Sequence, residues 1–237
     1  MPVDPFSCSP DPVPRTLNAL PQSIMMHIIL IFLLFALIHS ITVSSWFKQA
    51  CLNAFGEAWM RVWYRFLYNT VSLVTALAAI YLISQVPDRE IWTAPLWLHW
   101  AMRVIQFAGL AFGALSFEHM DTSEFMGFRQ VWRYLIHGET AGNIEGLRSK
   151  ELVRTGVYGI VRHPMYLAGL VIFTFNPIIT VNGVTVTVLA DLYFLFGVCI
   201  EERRFLKIFG DEYREYRRQV PRLIPRLFYR RGQGTKP

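Results

Sequence analysis

The sequence predicts an all-α integral membrane protein with about five transmembrane helices, a C-terminal helical hairpin and cytoplasmic amphipathic helices. Composition is the first reason: of the 237 residues, 53% are hydrophobic and only 17% are charged, which is too apolar for an ordinary soluble domain. The second reason is that the apolar residues form long runs, since a helix needs about 20 of them to cross roughly 30 Å of hydrocarbon.

Five apolar runs are long enough, or nearly long enough, to serve as spans. They are Ile24 to Phe47, Phe66 to Ser84, Leu96 to Phe117, Tyr166 to Val181 and Val184 to Ile200. Only Asn182 and Gly183 separate the last two runs, which predicts a tight helical hairpin with its turn at these two residues.

The N-terminal segment differs in composition from the rest of the chain. Residues 1 to 23 include six prolines, so we expect an extended, poorly ordered tail. This tail lacks the basic start of a signal peptide, and the first apolar run is too long for one, so we expect that run to be retained as a span. Residues 24 to 237 are expected to form a single membrane domain.

Lysine and arginine are concentrated in the loops after the first and third spans and in the C-terminal tail. The N-terminal tail and the second loop contribute only Arg15 and Arg89, and the hairpin turn contributes neither residue type. Because cytoplasmic loops carry the positive excess, we expect the N-terminus outside and the C-terminus in the cytoplasm. We expect a multi-pass protein of the bacterial inner membrane.

Charge and motif content argue against several classes of site. The net charge of +6 is carried by residues that flank apolar spans, which favours contact with anionic lipid headgroups over nucleic acid. Cys8, Cys51 and Cys199 have no metal-ligand spacing, so we predict neither a disulfide nor a metal site. The absence of GxGxxG after a strand and of GxxxxGK argues against a soluble dinucleotide domain or a phosphate-binding loop.

The run from Gly156 to Tyr166, which reads GVYGIVRHPMY, joins a basic loop to the fourth span. Pro164 disfavours helical geometry at His163 and suits the first turn of a helix, so we expect the helix to begin at Pro164. The free amides and the positive dipole at that helix end suit a carboxylate. Arg162 and His163 are therefore either ligand-binding groups or interfacial anchors of the helix.

Two adjacent carboxylates, Glu201 and Glu202, stand where the fifth span leaves the membrane. That position is costly for charged groups unless they are wet, paired or bound to a cation. The pair either faces a cationic ligand or is neutralised by Arg203 and Arg204. Neighbouring side chains on a helix point about 100° apart, so only one of the two carboxylates need face a ligand.

A second helix is expected after these glutamates. Gly210 ends the fifth span's helix, and an amphipathic helix follows at the membrane interface. Tyr213 and Tyr216 are three residues apart and share one face of that helix. They either cover a ligand or serve as interfacial aromatic residues.

The block from Gly156 to Tyr166 and the block from Glu201 to Pro225 together resemble a family of membrane methyltransferases. That family includes isoprenylcysteine carboxyl methyltransferase, phospholipid N-methyltransferases and bacterial methanethiol S-methyltransferases, and its Arg-His-Pro-x-Tyr and Glu-Glu elements hold S-adenosylmethionine. The resemblance implies a cofactor-binding part at about residues 150 to 226. The implied cofactor-binding residues are Leu152, Val153, Tyr158, His163, Pro164, Met165, Tyr166, Glu201 and Glu202. The candidate catalytic residues are Arg162, His163 and Glu202.

Two further segments, Tyr64 to Asn69 and Asp121 to Gln130, resemble the methanethiol S-methyltransferase branch, as does Asn176-Pro177. This resemblance implies a small thiol or another apolar molecule as methyl acceptor. The prenylcysteine enzymes carry a substrate-contacting arginine four residues before the first glutamate, and Gly197 stands there in this chain. The candidate acceptor-binding residues are Asp121, Arg129 and Gln130. The alternative is a structural role, in which these three residues bridge the long loop to the helices.

Other functions stay open at this level. A prenylcysteine carboxyl or phospholipid N-methyltransferase carries the same blocks, and NADPH-dependent sterol reductases resemble the same pattern but are usually larger. A non-catalytic accessory protein of respiratory or denitrification pathways is a third alternative.

His39 and Asp191 are ionisable groups inside spans and are expected to face the bundle interior. The sequence predicts no oligomeric state.

Overall fold

The computed structural model describes residues 22–119, 121–140 and 152–225, so the predicted tail lies almost wholly outside the described residues. Within these ranges the chain forms eight α-helices and two short strands. They are α1 (Gln22–Val43), α2 (Ser45–Ser84), β1 (Glu90–Thr93), α3 (Leu96–Leu115), α4 (Thr122–Met126), α5 (Phe128–His137), α6 (Pro164–Thr174), β2 (Ile178–Thr180), α7 (Val181–Phe209) and α8 (Asp211–Gln219). Short 3₁₀ turns cover Ser116–His119 and Gly156–Gly159.

The predicted fold class is confirmed. Among the described residues, four helical stretches are long and apolar enough to cross a membrane, and they are Ile24–Val43, Ser45–Ser84, Leu96–Glu118 and Val181–Phe209. The chain is therefore a multi-pass, all-α membrane protein. The fourth apolar run forms α6, which is shorter.

The first two helices meet at a sharper boundary than predicted. The first run was expected to continue to Phe47, but α1 ends at Val43 and Ser44 caps α2, with its Oγ accepting a hydrogen bond from Phe47 N at 3.4 Å. The path of α2 breaks at Gly56, where φ is +81°. The predicted second span, Phe66 to Ser84, is thus the last part of the helical stretch that follows this break.

The fourth span is shorter than predicted. The sequence indicated a helix up to Val181, but α6 ends at Thr174, and a turn at Phe175 and a bend at Pro177 lead to β2. Pro177 disfavours helical geometry at Asn176, which explains the early end. The 11 residues of α6 are about 16 Å long, roughly half the thickness of the hydrocarbon layer.

The last carbonyls of α6 receive hydrogen bonds from the neighbouring helices. Gln106 Nε2 on α3 donates to the carbonyl oxygen of Ile172 at 2.7 Å, and Thr187 Oγ1 on α7 donates to that of Phe173 at 3.3 Å. A helix end inside a bilayer requires such partners because no water is present to satisfy its carbonyls.

The predicted hairpin turn at Asn182-Gly183 is wrong, because both residues lie in the first turn of α7. Thr180 precedes that helix, and its Oγ1 accepts a hydrogen bond from Gly183 N at 2.9 Å. Asn182 is buried, and its Nδ2 donates to the carbonyl oxygens of Val86 and Pro87 at 3.1 and 3.2 Å. Asn182 therefore joins the start of α7 to the loop after α2.

The two strands pair antiparallel, with Glu90 opposite Thr180 and Thr93 opposite Ile178. The loop between α2 and α3 and the connection between α6 and α7 therefore meet at one end of the bundle, which we call the sheet end. Strands of three and four residues are too short to give a periodic pattern, so the sequence did not predict them.

Helices α3 and α6 approach closely through two glycines. A Cβ on Gly109 would lie 2.7 Å from Val171 Cγ1, and a Cβ on Gly113 would lie 2.7 Å from Ala168 Cβ. Residue numbers rise along α3 as they fall along α6, so the two helices are antiparallel.

Packing between neighbouring helices follows the order α3, α6, α7, α1 and α2. The segment formed by α4 and α5 packs against α2. Within the part of the chain that the structure describes, α2 makes no comparable contact with α3 or α6. The helices therefore form an arc that is open between its first and last members.

Candidate functional site

The two blocks singled out in the sequence meet where α6 begins and α7 ends, at the end of the bundle opposite the sheet; we call this the site end. His163 directly precedes α6, and its ring is almost fully buried. Its Nδ1 lies 3.3 Å from Glu201 Oε2, and its Nε2 lies 3.4 Å from Glu202 Oε1. The structure thus brings together the histidine of one block and both glutamates of the other.

Arg162 connects three parts of the site end. Its Nε donates to Glu202 Oε1 at 3.0 Å, and its Nη2 also contacts that oxygen. Its Nη1 donates to the carbonyl oxygens of Arg217 and Val220 at 3.1 and 2.6 Å, at the C-terminus of α8. A cation suits this position because the last carbonyls of a helix lack partners within the helix. Arg162 therefore fastens α8 to α7.

The carboxylate of Glu202 is surrounded by cationic groups. Besides Arg162, Arg222 Nη2 contacts Glu202 Oε2 at 2.5 Å, and Arg217 Nε lies 4.0 Å from the same oxygen. Only 4% of the Glu202 side chain is exposed, whereas 34% of the Glu201 side chain is exposed. Glu202 is thus fully engaged within the protein, and Glu201 is the more open of the two carboxylates.

Backbone hydrogen bonds hold the C-terminal segment against the loop before α6. The amide of Arg162 donates to the carbonyl oxygen of Pro221 at 2.9 Å, and that of His163 donates to Arg222 at 3.3 Å. The sequence pattern did not assign a role to Arg222. Its place in the C-terminal block was the only available signal, because its partners lie far away along the chain.

The charge state of His163 is set by two opposing effects. Burial of the ring lowers its pKa, but the facing carboxylates of Glu201 and Glu202 outweigh burial and raise the pKa of His163 above its ordinary value. The imidazole is therefore held as a cation over a wider pH range than an exposed histidine.

Helix α8 packs its tyrosines inward. Tyr213 and Tyr216 are buried with Val220. They pack against Leu152 in the loop before α6 and against three partly buried side chains of α7, namely Phe205, Leu206 and Phe209. The hydroxyl of Tyr216 donates to the carbonyl oxygen of Tyr158 at 2.7 Å. Burial raises the pKa of Tyr213 to about 12, so its phenol is neutral.

Two tyrosines of the first block lie around Glu201. The ring of Tyr166 packs edge-on against His163 with a centroid separation of 5.7 Å, and its hydroxyl lies beside Glu201. The Tyr158 side chain lies between Ser116 and Glu201, and burial raises its pKa. Tyr158, His163, Tyr166 and Glu201 therefore share one region, as the sequence predicted. Ser116, which is buried at the end of α3, carried no sequence signal.

Four other predicted cofactor-binding residues differ in their surroundings. Pro164 is buried at the start of α6, Met165 next to it is 40% exposed, Val153 is half-buried, and Leu152 packs against α8. Their part in ligand binding stays a prediction.

The predicted acceptor-binding residues lie in the segment of α4 and α5. Asp121 caps α4, with its Oδ1 accepting from Glu124 N at 3.0 Å, and it forms an ion pair with Arg129. Gln130 is buried and donates to the carbonyl oxygen of Glu124 at 2.9 Å, the same oxygen that Arg65 on α2 contacts at 2.9 Å. These contacts hold the segment against α2, and a role in acceptor binding stays a prediction.

The chain matches the NnrU protein family over residues 27–216, which include α2 to α7, most of α1 and α8, and most of both sequence blocks. It belongs to the NnrU protein family. The family match reaches Tyr216 on α8, so it covers His163 and both glutamates.

Relatives of this NnrU-family chain carry methyltransferase names. Methanethiol S-methyltransferase 2 of Bradyrhizobium diazoefficiens is 28% identical over 92% of this chain and 82% of its own length. Methanethiol S-methyltransferase of Mycobacterium tuberculosis is 29% identical over 90% of this chain and 84% of its own length. Protein-S-isoprenylcysteine O-methyltransferase of Schizosaccharomyces pombe is 35% identical over 54% and 52%. These similarities confirm the predicted family resemblance. No solved structure matches the chain.

Proposed function

We propose that the protein is an S-adenosylmethionine-dependent membrane methyltransferase that methylates a small thiol such as methanethiol, or a comparable apolar acceptor. The names of the relatives support the reaction and the acceptor class. The observation that carries the proposal is the joining of His163 to Glu201 and Glu202, because it brings the two blocks of the methyltransferase pattern together at one end of the bundle.

The groups at the site end fit the chemistry of the donor. S-adenosylmethionine has an ammonium, a sulfonium and two ribose hydroxyls, for which the open carboxylate of Glu201 is a suitable partner. The start of α6 offers free amides to the donor's carboxylate. Among the described residues, His163 Nε2 faces the Glu202 carboxylate at 3.4 Å, whereas the buried Tyr213 hydroxyl has no hydrogen-bond partner and retains capacity for a ligand. When bound, the donor would supply an electrophilic methyl group.

The residues of the protein have different tasks in this proposal. Glu201, Tyr158 and Tyr166 contact the donor, while Arg162 and Glu202 position α8 and the C-terminal segment around it. The hydrophobic side chains of α8 exclude water from the reacting atoms. Leu152, Val153, Pro164 and Met165 complete the donor-binding set.

We further propose that the site end faces the cytoplasm and that the sheet end lies outside, in a bacterial inner membrane. The distribution of lysine and arginine supports this orientation. A water-soluble donor then enters from the cytoplasm, while an apolar acceptor arrives from the bilayer. Asp121, Arg129 and Gln130, on the same side, are assigned to the acceptor route.

Calorimetric titration of the detergent-purified protein with S-adenosylhomocysteine tests the donor site. We expect micromolar binding by the wild type and at least a tenfold loss of affinity for Glu201→Gln, because the variant removes the open carboxylate. Glu57→Gln is the matched control, since Glu57 is exposed on α2 and pairs only locally with Arg61. Wild-type affinity in Glu201→Gln would overturn this role. Binding of NADPH with indifference to S-adenosylhomocysteine would overturn the whole proposal in favour of a reductase.

Glu202→Gln distinguishes the two glutamates. The substitution leaves the charge of Arg162 buried without its partner, and breaking a buried ion pair costs about 3–5 kcal/mol. We therefore expect Glu202→Gln to lower the unfolding temperature, whereas Glu201→Gln keeps it. The reverse pattern would assign the positioning role to Glu201.

A further inference from the structure

A cluster of polar aromatic residues lies between α1, α2 and α7. His39 Nδ1 lies 3.1 Å from Ser72 Oγ, and His39 Nε2 lies 3.2 Å from the hydroxyl of Tyr68. The Ser40 hydroxyl lies 3.1 Å from that of Tyr193 on α7. Both ring nitrogens of His39 thus have partners, and the functional site described above uses none of these residues.

This cluster adjoins the proposed donor site. Tyr166, whose hydroxyl lies beside Glu201, is within electrostatic range of both Tyr193 and Tyr68. The ring of Tyr166 also fills the space next to Gly197, where an added Cβ would lie 3.0 Å from Tyr166 Cε1. Tyr166 is therefore the link between the membrane cluster and the site end.

The cluster is also placed for access from the bilayer. Tyr68 lies on α2, at the edge of the helix arc that has no extensive contact with α3 or α6 in the described part of the chain. His39 lies four residues before the end of α1, so it is about 6 Å from that helix end and close to the level of the membrane surface. An apolar acceptor that enters through the opening of the arc, between α2 and α3, would meet Tyr68 on α2 before it reaches Tyr166 on α6.

We propose that Tyr68 and His39 form a relay that removes the proton from the acceptor thiol, a proposal that rests on the methyltransferase function argued above. In the tautomer in which His39 Nδ1 donates to Ser72, Nε2 accepts the Tyr68 proton. The thiol S–H bond breaks and its proton passes to the Tyr68 oxygen, while the Tyr68 proton passes to His39 Nε2. The sulfur electron pair forms the new bond to the methyl carbon, and the donor's sulfonium–methyl bond breaks with its pair left on the donor sulfur.

The step creates no separated pair of charges inside the membrane. A neutral thiol and a sulfonium cation become two neutral thioethers, and the positive charge moves to the His39 imidazole. Creating a separated charge pair in a medium of low dielectric constant would be costly, and the relay avoids it. The titratable groups that face His39 from the helices packed against it are Tyr68 on α2 and Tyr193 on α7. The proton is later lost to water.

The test compares two acceptors in the same variants. Methanethiol must lose a proton to react, whereas methaneselenol is already ionised at neutral pH and needs no base. We expect His39→Gln to lower turnover of methanethiol about 100-fold or more, the usual scale of general-base catalysis. Turnover of methaneselenol and binding of S-adenosylhomocysteine should stay within about threefold of the wild type. His27→Gln, on the exposed part of the same helix, is the control.

Tyr68→Phe provides a second route should His39→Gln fail to fold. It keeps the ring and removes the hydroxyl, so we expect the same selective loss with the thiol. Tyr81→Phe makes the same chemical change at a side chain that is 64% exposed on α2 and should keep both activities. Equal losses with thiol and selenol, with donor binding intact, would overturn the relay and leave the cluster a packing role. A wild type that binds no S-adenosylhomocysteine would instead overturn the proposed function.

A measurement without donor or acceptor tests the relay independently. In ¹⁵N spectra of histidine-labelled protein, with His39 assigned by its loss in His39→Gln, we expect a neutral ring that is protonated at Nδ1. Tyr68→Phe should shift the Nε2 resonance of His39. A proton on Nε2 would contradict the relay, since that nitrogen could not accept the proton of Tyr68.

Discussion

His163 contributes stability that depends on pH. Its pKa in the folded protein is raised above the ordinary value of 6.5 by the facing carboxylates, so the folded state binds the proton more tightly than the unfolded chain does. This contribution is fully present below about pH 6.5 and is lost as the pH rises through the folded-state pKa. We expect the stability difference between the wild type and His163→Gln to be largest at low pH and to shrink at higher pH.

Unfolding temperatures of the two proteins, measured in detergent from pH 5.5 to 9, check this expectation. His137→Gln, at the exposed end of α5, should follow the wild type throughout. A stability difference that is constant with pH would show that the charge of His163 does not contribute to the stability of the folded protein.

For individual residues of the site, the sequence predicted which side chains meet but not what each one does. Tyr158, His163, Tyr166 and the glutamates come together as expected. The sequence could not assign Arg162 to the end of α8, because that contact joins residues 58 positions apart and depends on how α8 folds back. Nor could it tell Glu201 from Glu202, since the difference lies in which carboxylate the arginines surround.

Helices α3 and α6 pack closely because Gly109 and Gly113 have no side chains at their contact. A larger residue at Gly113 would press against Ala168 and force the helices apart. We expect Gly113→Val to destabilise the protein by about 1–3 kcal/mol, the usual cost of overpacking a tight contact. The measurement is the unfolding temperature in detergent together with binding of S-adenosylhomocysteine, because α6 carries His163 at its start.

The neighbouring substitution Ala114→Val is the control, since Ala114 is exposed on the same turn of α3. It adds the same branched side chain to the same helix and should change stability by no more than about 0.5 kcal/mol. Equal effects of the two substitutions would contradict a packing role for Gly113, because only Ala114→Val lowers the intrinsic helix propensity.

Elements were predictable where one physical signal dominates. Long apolar runs locate α1, α3 and α7, and Pro164 marks the start of α6. Polar residues such as Arg65 interrupt the apolar pattern of α2, so only its last part was recognised. In the structure, Arg65 Nη1 donates to the carbonyl oxygen of Glu124 on α4. The strands β1 and β2 depend on pairing between distant segments and gave no local signal.

The whole molecule is expected to have the sheet end outside the cell and the site end inside. In a background with its cysteines replaced by serine, a membrane-impermeant maleimide should label Glu90→Cys in intact cells. It should label Glu215→Cys only after lysis. Glu90 lies in β1 and Glu215 on the exposed face of α8, so both positions are accessible in the folded protein.

Lysed cells provide the control, since both variants should then be labelled equally. Labelling of Glu215→Cys alone in intact cells would invert the orientation and place the donor site on the side where S-adenosylmethionine is absent. That outcome would contradict the proposed function as well as the orientation.

The short helix α6 has a consequence for how the protein enters the membrane. A segment of 11 helical residues does not partition stably as an independent unit, because its C-terminal carbonyls would face lipid without partners. Those partners come from Gln106 on α3 and Thr187 on α7, and α7 is synthesised later. We therefore expect α6 to become stable in the membrane only together with α7, as a joint unit packed against an α3 that is already in place.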